Sequence, residues 1–285
     1  MSEFEDRYWT SRDGLRLHYR DYPGGDTRPS LICLPGLTRN ARDFEELAAR
    51  LAGDWRVLCP EMRGRGDSEY SKDAKTYNPV QYVDDVLALL DEEGIARFVA
   101  IGTSLGGLMT LIMAMTAPER IAGAIINDAG TVLEAAGLER IKSYVGQGRT
   151  FPTWVHAARA IEQSQGMAFP GYSLPDWIAM AKRLMVVSSN GRIVFDYDMK
   201  IAEPFASFDP DAQPDLWPGI DGLAGKPVLV IRGEISDILS AQTVAQMQAR
   251  HAGLAAVTVA NTGHAPTLSE PEATAAIDSF LAAMG

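Results

Sequence analysis

Basic residues are in short supply in this chain: 26 Lys and Arg stand against 37 Asp and Glu over 285 residues, a formal net charge of −11. No basic run and no basic patch interleaved with aromatics is present, which excludes the electrostatic footprint of a nucleic-acid binder. Solvated surface acid accounts for the imbalance, and no cationic substrate is inferred from it. Cysteine is scarcer still. Cys33 and Cys59 both lie in apolar strand-like runs, make neither a disulfide scaffold nor a zinc site, and read as reduced, buried thiols. No stretch approaches the run of about 18 apolar residues needed to cross a bilayer. The start, Met1-Ser2-Glu3-Phe4-Glu5-Asp6, lacks the charged-then-apolar pattern of a secretory signal, so a cytoplasmic protein with no membrane partner is expected. No internal repeat is evident. What remains, 46% hydrophobic and 22% charged content, is enough for a sizeable core.

The most informative feature present is Gly102-Thr103-Ser104-Leu105-Gly106. It sits between an apolar run, Phe98 to Ile101, and a stretch in which Leu108, Leu111, Ile112 and Met115 recur at helical spacing before Pro118 stops them. Glycines two residues to either side of a serine allow a tight strand-to-helix reversal, because a Cβ at either flank would collide with the turning backbone. The serine then stands exposed at a helix N-terminus, where free N–H groups and the helix dipole favour a developing negative charge. Dinucleotide binding wants a glycine where Ser104 stands, and a phosphate loop wants a Gly-Lys-Ser/Thr ending that is missing.

With this elbow in place the chain resembles the α/β-hydrolase family over nearly its whole length. The resemblance implies an α/β fold, a mostly parallel sheet with helices on both faces and a mainly helical cap insertion. It also implies a nucleophile, an acid and a histidine in that chain order. His264, in Asn261-Thr262-Gly263-His264 after the strand-like Ala255 to Ala260, is the expected base. For the acid, Asp237 in Arg232-Gly233-Glu234-Ile235-Ser236-Asp237 is favoured, because its Gly-x-x-Ser-Asp loop resembles a family variant. Asp128, at the end of the apolar run Ile121 to Ile126, and Glu234 compete for that role, Asp128 being as good a cap for the insertion that follows. A serine hydroxyl becomes an effective nucleophile once an imidazole takes its proton, and a carboxylate fixes that imidazole's tautomer.

The resemblance assigns the oxyanion hole to the backbone N–H groups of Leu105 and of Leu37, the latter in Leu34-Pro35-Gly36-Leu37, where family members often have His-Gly. Arg63-Gly64-Arg65-Gly66-Asp67-Ser68, with Glu61 ahead of it, resembles the family's Asp-x-Arg-Gly-x-Gly-x-Ser loop. The embedded Arg-Gly-Asp is too short to carry an adhesion reading. The other histidines have plainer readings. His18 alternates with Leu17 and Tyr19 and is expected on a solvated strand face. His251 falls near a helix end, where a cation suits the dipole. His156 lies in the insertion, packed or exposed by default.

Strands and amphipathic helices alternate from the Asp13-Gly14 turn to Asp128, the rhythm lapses from about Gly130 to Ile220, and Pro227 restores it. Residues 1–129 and 221–285 are therefore expected to form the core domain and 130–220 the cap. Eleven of the chain's 23 aromatic residues fall in that cap, from Tyr144 to Trp217, which suits a pocket roof over an apolar substrate. The function implied is a serine hydrolase, needing no metal or cofactor, that cleaves an ester, thioester or lactone of a small, largely apolar substrate through an acyl-enzyme. Two other readings stand beside it. Carbon–carbon hydrolases of vinylogous diketones use the same triad but usually carry Asn where this chain has Thr103, and a non-catalytic ligand-binding member would need no triad. Ser104 argues against dehalogenases and epoxide hydrolases, which use Asp at the elbow. Oligomeric state is not legible in the sequence.

Overall fold

The computed structural model describes residues 4–209 and 212–284. Met1 to Glu3 of the acidic start, Pro210 and Asp211 of the expected cap, and Gly285 lie outside the described residues.

The chain opens on a hairpin, β1 (Glu5–Thr10) and β2 (Arg16–Tyr22), closed by Gly14 at φ +90°, a conformation that suits glycine. Strands then alternate with helices: β3 (Ser30–Leu34), α1 (Glu45–Leu51), β4 (Val57–Pro60), α2 (Pro79–Glu92), β5 (Phe98–Thr103), α3 (Leu105–Thr116) and β6 (Ile121–Asn127). After an excursion of about ninety residues come α8 (Trp217–Gly222), β10 (Val228–Gly233), α9 (Ala241–Arg250), β11 (Leu254–Val259) and α10 (Pro271–Ala282). The eight strands form one sheet in the order β1-β2-β4-β3-β5-β6-β10-β11, antiparallel at the β1 end and parallel from β4 onward.

Strands buried on both faces carry apolar residues continuously, and the pleat sends alternate ones to opposite layers. Ile32, Leu34, Ala100 and Ile126 join Val86, Met109, Leu111 and Ile220 on one face. Leu31, Cys33, Val99 and Ile125 join Leu47, Leu51, Ile277 and Phe280 on the other. Helices α2, α3, α8 and α9 thus cover one side, and α1 and α10 the other. Cys33 and Cys59 are free and buried in the second layer.

The excursion between β6 and α8 contains α4 (Ala135–Lys142), α5 (Trp154–Gln165), α6 (Leu174–Leu184) and the short α7 (Ala202–Ala206). It also contains a three-stranded antiparallel sheet that helix and loop signals did not foretell: β7 (Thr150–Phe151), β8 (Met185–Val187) and β9 (Ile193–Phe195), in the order β7-β9-β8. Strands of two or three residues are too short to show a period of two. Phe151, Trp177, Met180, Leu184 and Ile193 give the excursion a core of its own. It is fastened to the sheet domain at its rim. The Arg183 carbonyl accepts from Asn40 Nδ2 at 3.2 Å and Arg42 Nε at 3.1 Å, Arg42 Nη2 donates to Asp196 at 2.6 Å, and Tyr77 donates to Asp198 at 2.7 Å. No helix among the described residues is long and apolar enough to cross a membrane.

Candidate active site

The turn from β5 into α3 is as tight as its glycines imply. A Cβ on Gly102 would stand 2.3 Å from the Gly106 carbonyl oxygen, and one on Gly106 would stand 2.0 Å from that of Leu34. Between them Ser104 takes φ 53° and ψ −114°, a strained conformation for a residue with a side chain, and its N–H donates to Asn127 O at 2.9 Å. The backbone strain turns the hydroxyl out of the sheet at the N-terminus of α3.

His264, in the loop after β11, meets that hydroxyl: Ser104 Oγ and His264 Nε2 are 2.8 Å apart. The ring's other nitrogen, Nδ1, is 2.8 Å from Asp128 Oδ2. A carboxylate can only accept, so Nδ1 carries the proton and Nε2 is left to accept from the serine. Asp128 follows β6 directly, at φ 51°, and is completely buried. Its Oδ1 also accepts from Gly233 N at 2.9 Å, and its Oδ2 from Ser236 Oγ at 2.7 Å.

The expectation that Asp237 faces His264 is corrected by this geometry. The loop after β10 comes toward the histidine, but it is Gly233 and Ser236 that turn inward, both onto Asp128. Asp237 turns toward α4 and is held by Arg140 in a bidentate pair, at 2.5 and 2.7 Å. Burial works to raise the Asp237 pKa, yet the hydrogen bond and charge of Arg140, with a contribution from His264, outweigh it and hold the carboxyl below its usual range. Glu234, the other rival, accepts from Asn261 N. The signal for Asp128 was present: an acidic residue closing a strand, Ile121–Asn127, that is buried at every position.

Leu105 is the first residue of α3, so helix geometry leaves its N–H without an intrahelical acceptor. Leu37 lies in the turn after β3 and is fixed from behind, its carbonyl accepting from Arg65 Nε at 2.9 Å and Nη2 at 2.7 Å. Arg65 is fully buried and also donates to Arg63 O and Tyr82. Sequence reasoning gave the Arg63–Ser68 loop no task beyond its resemblance to a family loop; this clamp was missed.

The histidine readings divide. His18 is not on a solvated face. It is 1% exposed, covered by the 61–68 loop, with Nδ1 against Glu61 at 2.9 Å and Nε2 against Asp6 at 3.0 Å. Burial opposes its charged form, but Glu61 and Asp6 outweigh burial and raise its pKa. His18, Glu61 and Asp67 bring ligand-type atoms within 4.8 Å of one another. Glu61, however, is already engaged with Ala41 N and Asp67 N as well as with His18. His251 does end α9, but it is buried, with Nε2 on Leu223 O and Nδ1 accepting from Gly253 N, the pattern of a neutral ring rather than a dipole-bound cation. His156 is exposed and pairs with Thr153.

Two cavities meet at Leu37, Ser104 and Ile141. One, of about 390 Å³, is lined by Leu105, Leu108, Leu133, Phe205, Phe208 and Ile238 among others, with no charged side chain. The other, of about 140 Å³, runs past His264 and Thr267 under Tyr144, Phe151, Phe169 and Phe195. Seven of the eleven aromatics of the segment 130–220 line one cavity or the other, whereas Trp177 is packed in that segment's own core.

Comparison with known proteins agrees with this architecture. Residues 31–277 match the model of the Alpha/beta hydrolase family. The crystal structure of an alpha/beta hydrolase from Novosphingobium aromaticivorans superimposes with a TM-score of 0.94 at 61% identity, covering 99% of each chain. A 3-hydroxybutyrate-oligomer hydrolase of Cupriavidus necator is 34% identical over 93% of this chain and 92% of its own. A 2-(acetamidomethylene)succinate hydrolase of Mesorhizobium japonicum is 26% identical over 94% and 92%. A match over most of the chain's length, joined to the elbow and the sheet order already described, makes this protein a member of the alpha/beta hydrolase family.

Proposed function

We propose that the protein is a serine hydrolase that cleaves carboxylic esters through an acyl-enzyme, with Ser104 as nucleophile, His264 as base and acid, and Asp128 as the orienting carboxylate. The observation that carries this reading is the relay of two 2.8 Å contacts, Ser104 Oγ to His264 Nε2 and His264 Nδ1 to Asp128 Oδ2. Ser104 Oγ attacks the ester carbonyl carbon while its proton passes to Nε2. The carbonyl oxygen becomes negative and is held by the N–H groups of Leu105 and Leu37, each donor worth about 3 to 4 kcal/mol in the transition state. The carbon–oxygen bond then breaks, the alkoxide takes the proton from Nε2 and leaves as an alcohol. Water, deprotonated by the same nitrogen, attacks the acyl-enzyme and releases the acid, restoring Ser104. The segment 130–220 acts as the cap, since its aromatics roof both cavities. The relative from Cupriavidus necator acts, by its name, on oligomers whose units are joined by esters, which supports ester cleavage.

The test is labelling and turnover together. A fluorophosphonate probe is expected to label the protein and p-nitrophenyl butyrate to be hydrolysed, with both lost in Ser104→Ala. Labelling or turnover that survives in Ser104→Ala overturns the assignment.

A further inference from the structure

The two cavities that meet at Ser104 differ in charge as well as in size. The apolar one has no charged side chain, whereas the smaller one is lined by Arg39, Arg149 and Arg183 against the single carboxylate of Asp43. An excess of cations around a cavity, two of them largely covered, is out of keeping with a chain whose net charge is −11. Arg39 spends Nε and Nη2 on Asp43, at 2.5 and 2.6 Å. Arg183 Nε stands 3.9 Å from the same carboxylate, and its guanidinium makes no hydrogen bond to any described residue. Both side chains are largely covered, Arg39 at 20% exposure and Arg183 at 24%. Gly36 brings Arg39 close to the chemistry, since a Cβ there would stand 3.1 Å from Arg39 Cγ and 3.8 Å from Ser104 Cβ, and Arg183 lines the same cavity as Ser104 and His264.

We propose that Arg39 and Arg183 form a carboxylate subsite on the leaving-group side of Ser104, so that the preferred substrate is an ester of a hydroxyacid, with its free carboxylate on the arginines and its acyl half in the apolar cavity. The orientation follows from His264. The group that protonates the departing alkoxide must lie beside it, and His264 lines the cationic cavity and not the apolar one. Leu105, an oxyanion donor in the reading above, lines the apolar cavity, where the acyl chain follows its carbonyl. A guanidinium with unspent N–H groups in a partly dehydrated space is the side chain best matched to a planar carboxylate. After cleavage the departing alcohol is itself a hydroxyacid, still held by the same pair.

This inference rests on the serine-hydrolase reading, and the experiment separates the two. Initial rates are measured with a linear dimer of a 3-hydroxyacid bearing a free carboxylate, with its methyl ester, and with p-nitrophenyl butyrate. The free acid is expected to be favoured over the methyl ester by at least tenfold in kcat/KM, through KM. In Arg183→Gln, its fold checked by circular dichroism and melting, that preference is expected to fall to within about twofold. A second measurement needs no variant: 3-hydroxybutyrate is expected to compete with p-nitrophenyl butyrate in the wild-type protein, and its methyl ester to compete at least tenfold more weakly. Ser104-dependent turnover with the methyl ester preferred, or equal competition by acid and ester, overturns the subsite and leaves the hydrolase. Absence of any Ser104-dependent turnover overturns both.

Discussion

Replacing Asp128 by Asn tests the relay where sequence and structure part company. Three donors converge on this carboxylate: Gly233 N at 2.9 Å, Ser236 Oγ at 2.7 Å and His264 Nδ1 at 2.8 Å. An amide offers one oxygen. If that oxygen faces His264 and Ser236, the new NH₂ opposes the Gly233 N–H. In the flipped rotamer the NH₂ faces Nδ1 and drives the ring to the tautomer protonated at Nε2, which cannot take the Ser104 proton. One orientation leaves buried donors opposed, at about 1–3 kcal/mol of stability, and the other disables the base. For a triad acid the loss is about 10⁴-fold in kcat, or about 5.5 kcal/mol of transition-state stabilisation. Asp237→Asn removes one charge from a pair in which Asp237 is 35% and Arg140 25% exposed, so about 1 kcal/mol or less of stability and a kcat within about threefold are expected. The assay is burst and steady-state hydrolysis of p-nitrophenyl butyrate by both variants, alongside urea unfolding. A wild-type-like kcat in Asp128→Asn with a collapsed kcat in Asp237→Asn refutes the reasoning.

Arg65→Lys is expected to lower kcat by about 10- to 100-fold while changing KM much less, because one ammonium cannot reproduce the two N–H groups that fix the Leu37 carbonyl, and the proposed oxyanion donor drifts. A change confined to KM would show that the clamp does not serve the transition state. Asp13, held by Arg63, has its carboxyl lowered from 3.8 to about 2, with the Arg63 hydrogen bond the chief cause. Its folded pKa is depressed, so its contribution is present above pH 4 and is lost as pH falls toward 2. Allowing for a side chain 44% exposed, that contribution is about 1 kcal/mol. Melting temperature against pH should therefore fall less steeply between pH 4 and 2 in Asp13→Asn than in the parent, and parallel curves would contradict this account.

The strand-to-helix rhythm of the core was legible because buried parallel strands such as Ile121–Asn127 are apolar without interruption and the intervening helices keep a 3.6-residue period. The meeting of Ser104 with His264 was legible because each is announced by the backbone around it, glycines in one case and a strand end in the other. The acid was not. Asp128 and Asp237 both follow strands, β6 and β10 lie side by side, and Asp237 is drawn aside by Arg140, a residue of α4 with no tie to either in sequence. His18 was misread for a related reason: alternation tells which residues share a face, but the cover over that face is the distant 61–68 loop. The cationic cavity joins Arg39 of the β3 turn to Arg183 near the end of α6, and no local pattern foreshadows that meeting.

The rim fastening of the segment between β6 and α8 has a thermodynamic side. The carbonyl of Arg183 is pinned by both Asn40 and Arg42 of the sheet domain, so the backbone beneath that guanidinium is immobilised when the chain folds, not when a small acid arrives. Preorganisation of this kind leaves only side-chain rotamers to be ordered on encounter, at about 0.5–1.5 kcal/mol each. A ligand of a few heavy atoms, with little surface to contribute, then retains more of its gross interaction as affinity than it would on a rim still free to wander.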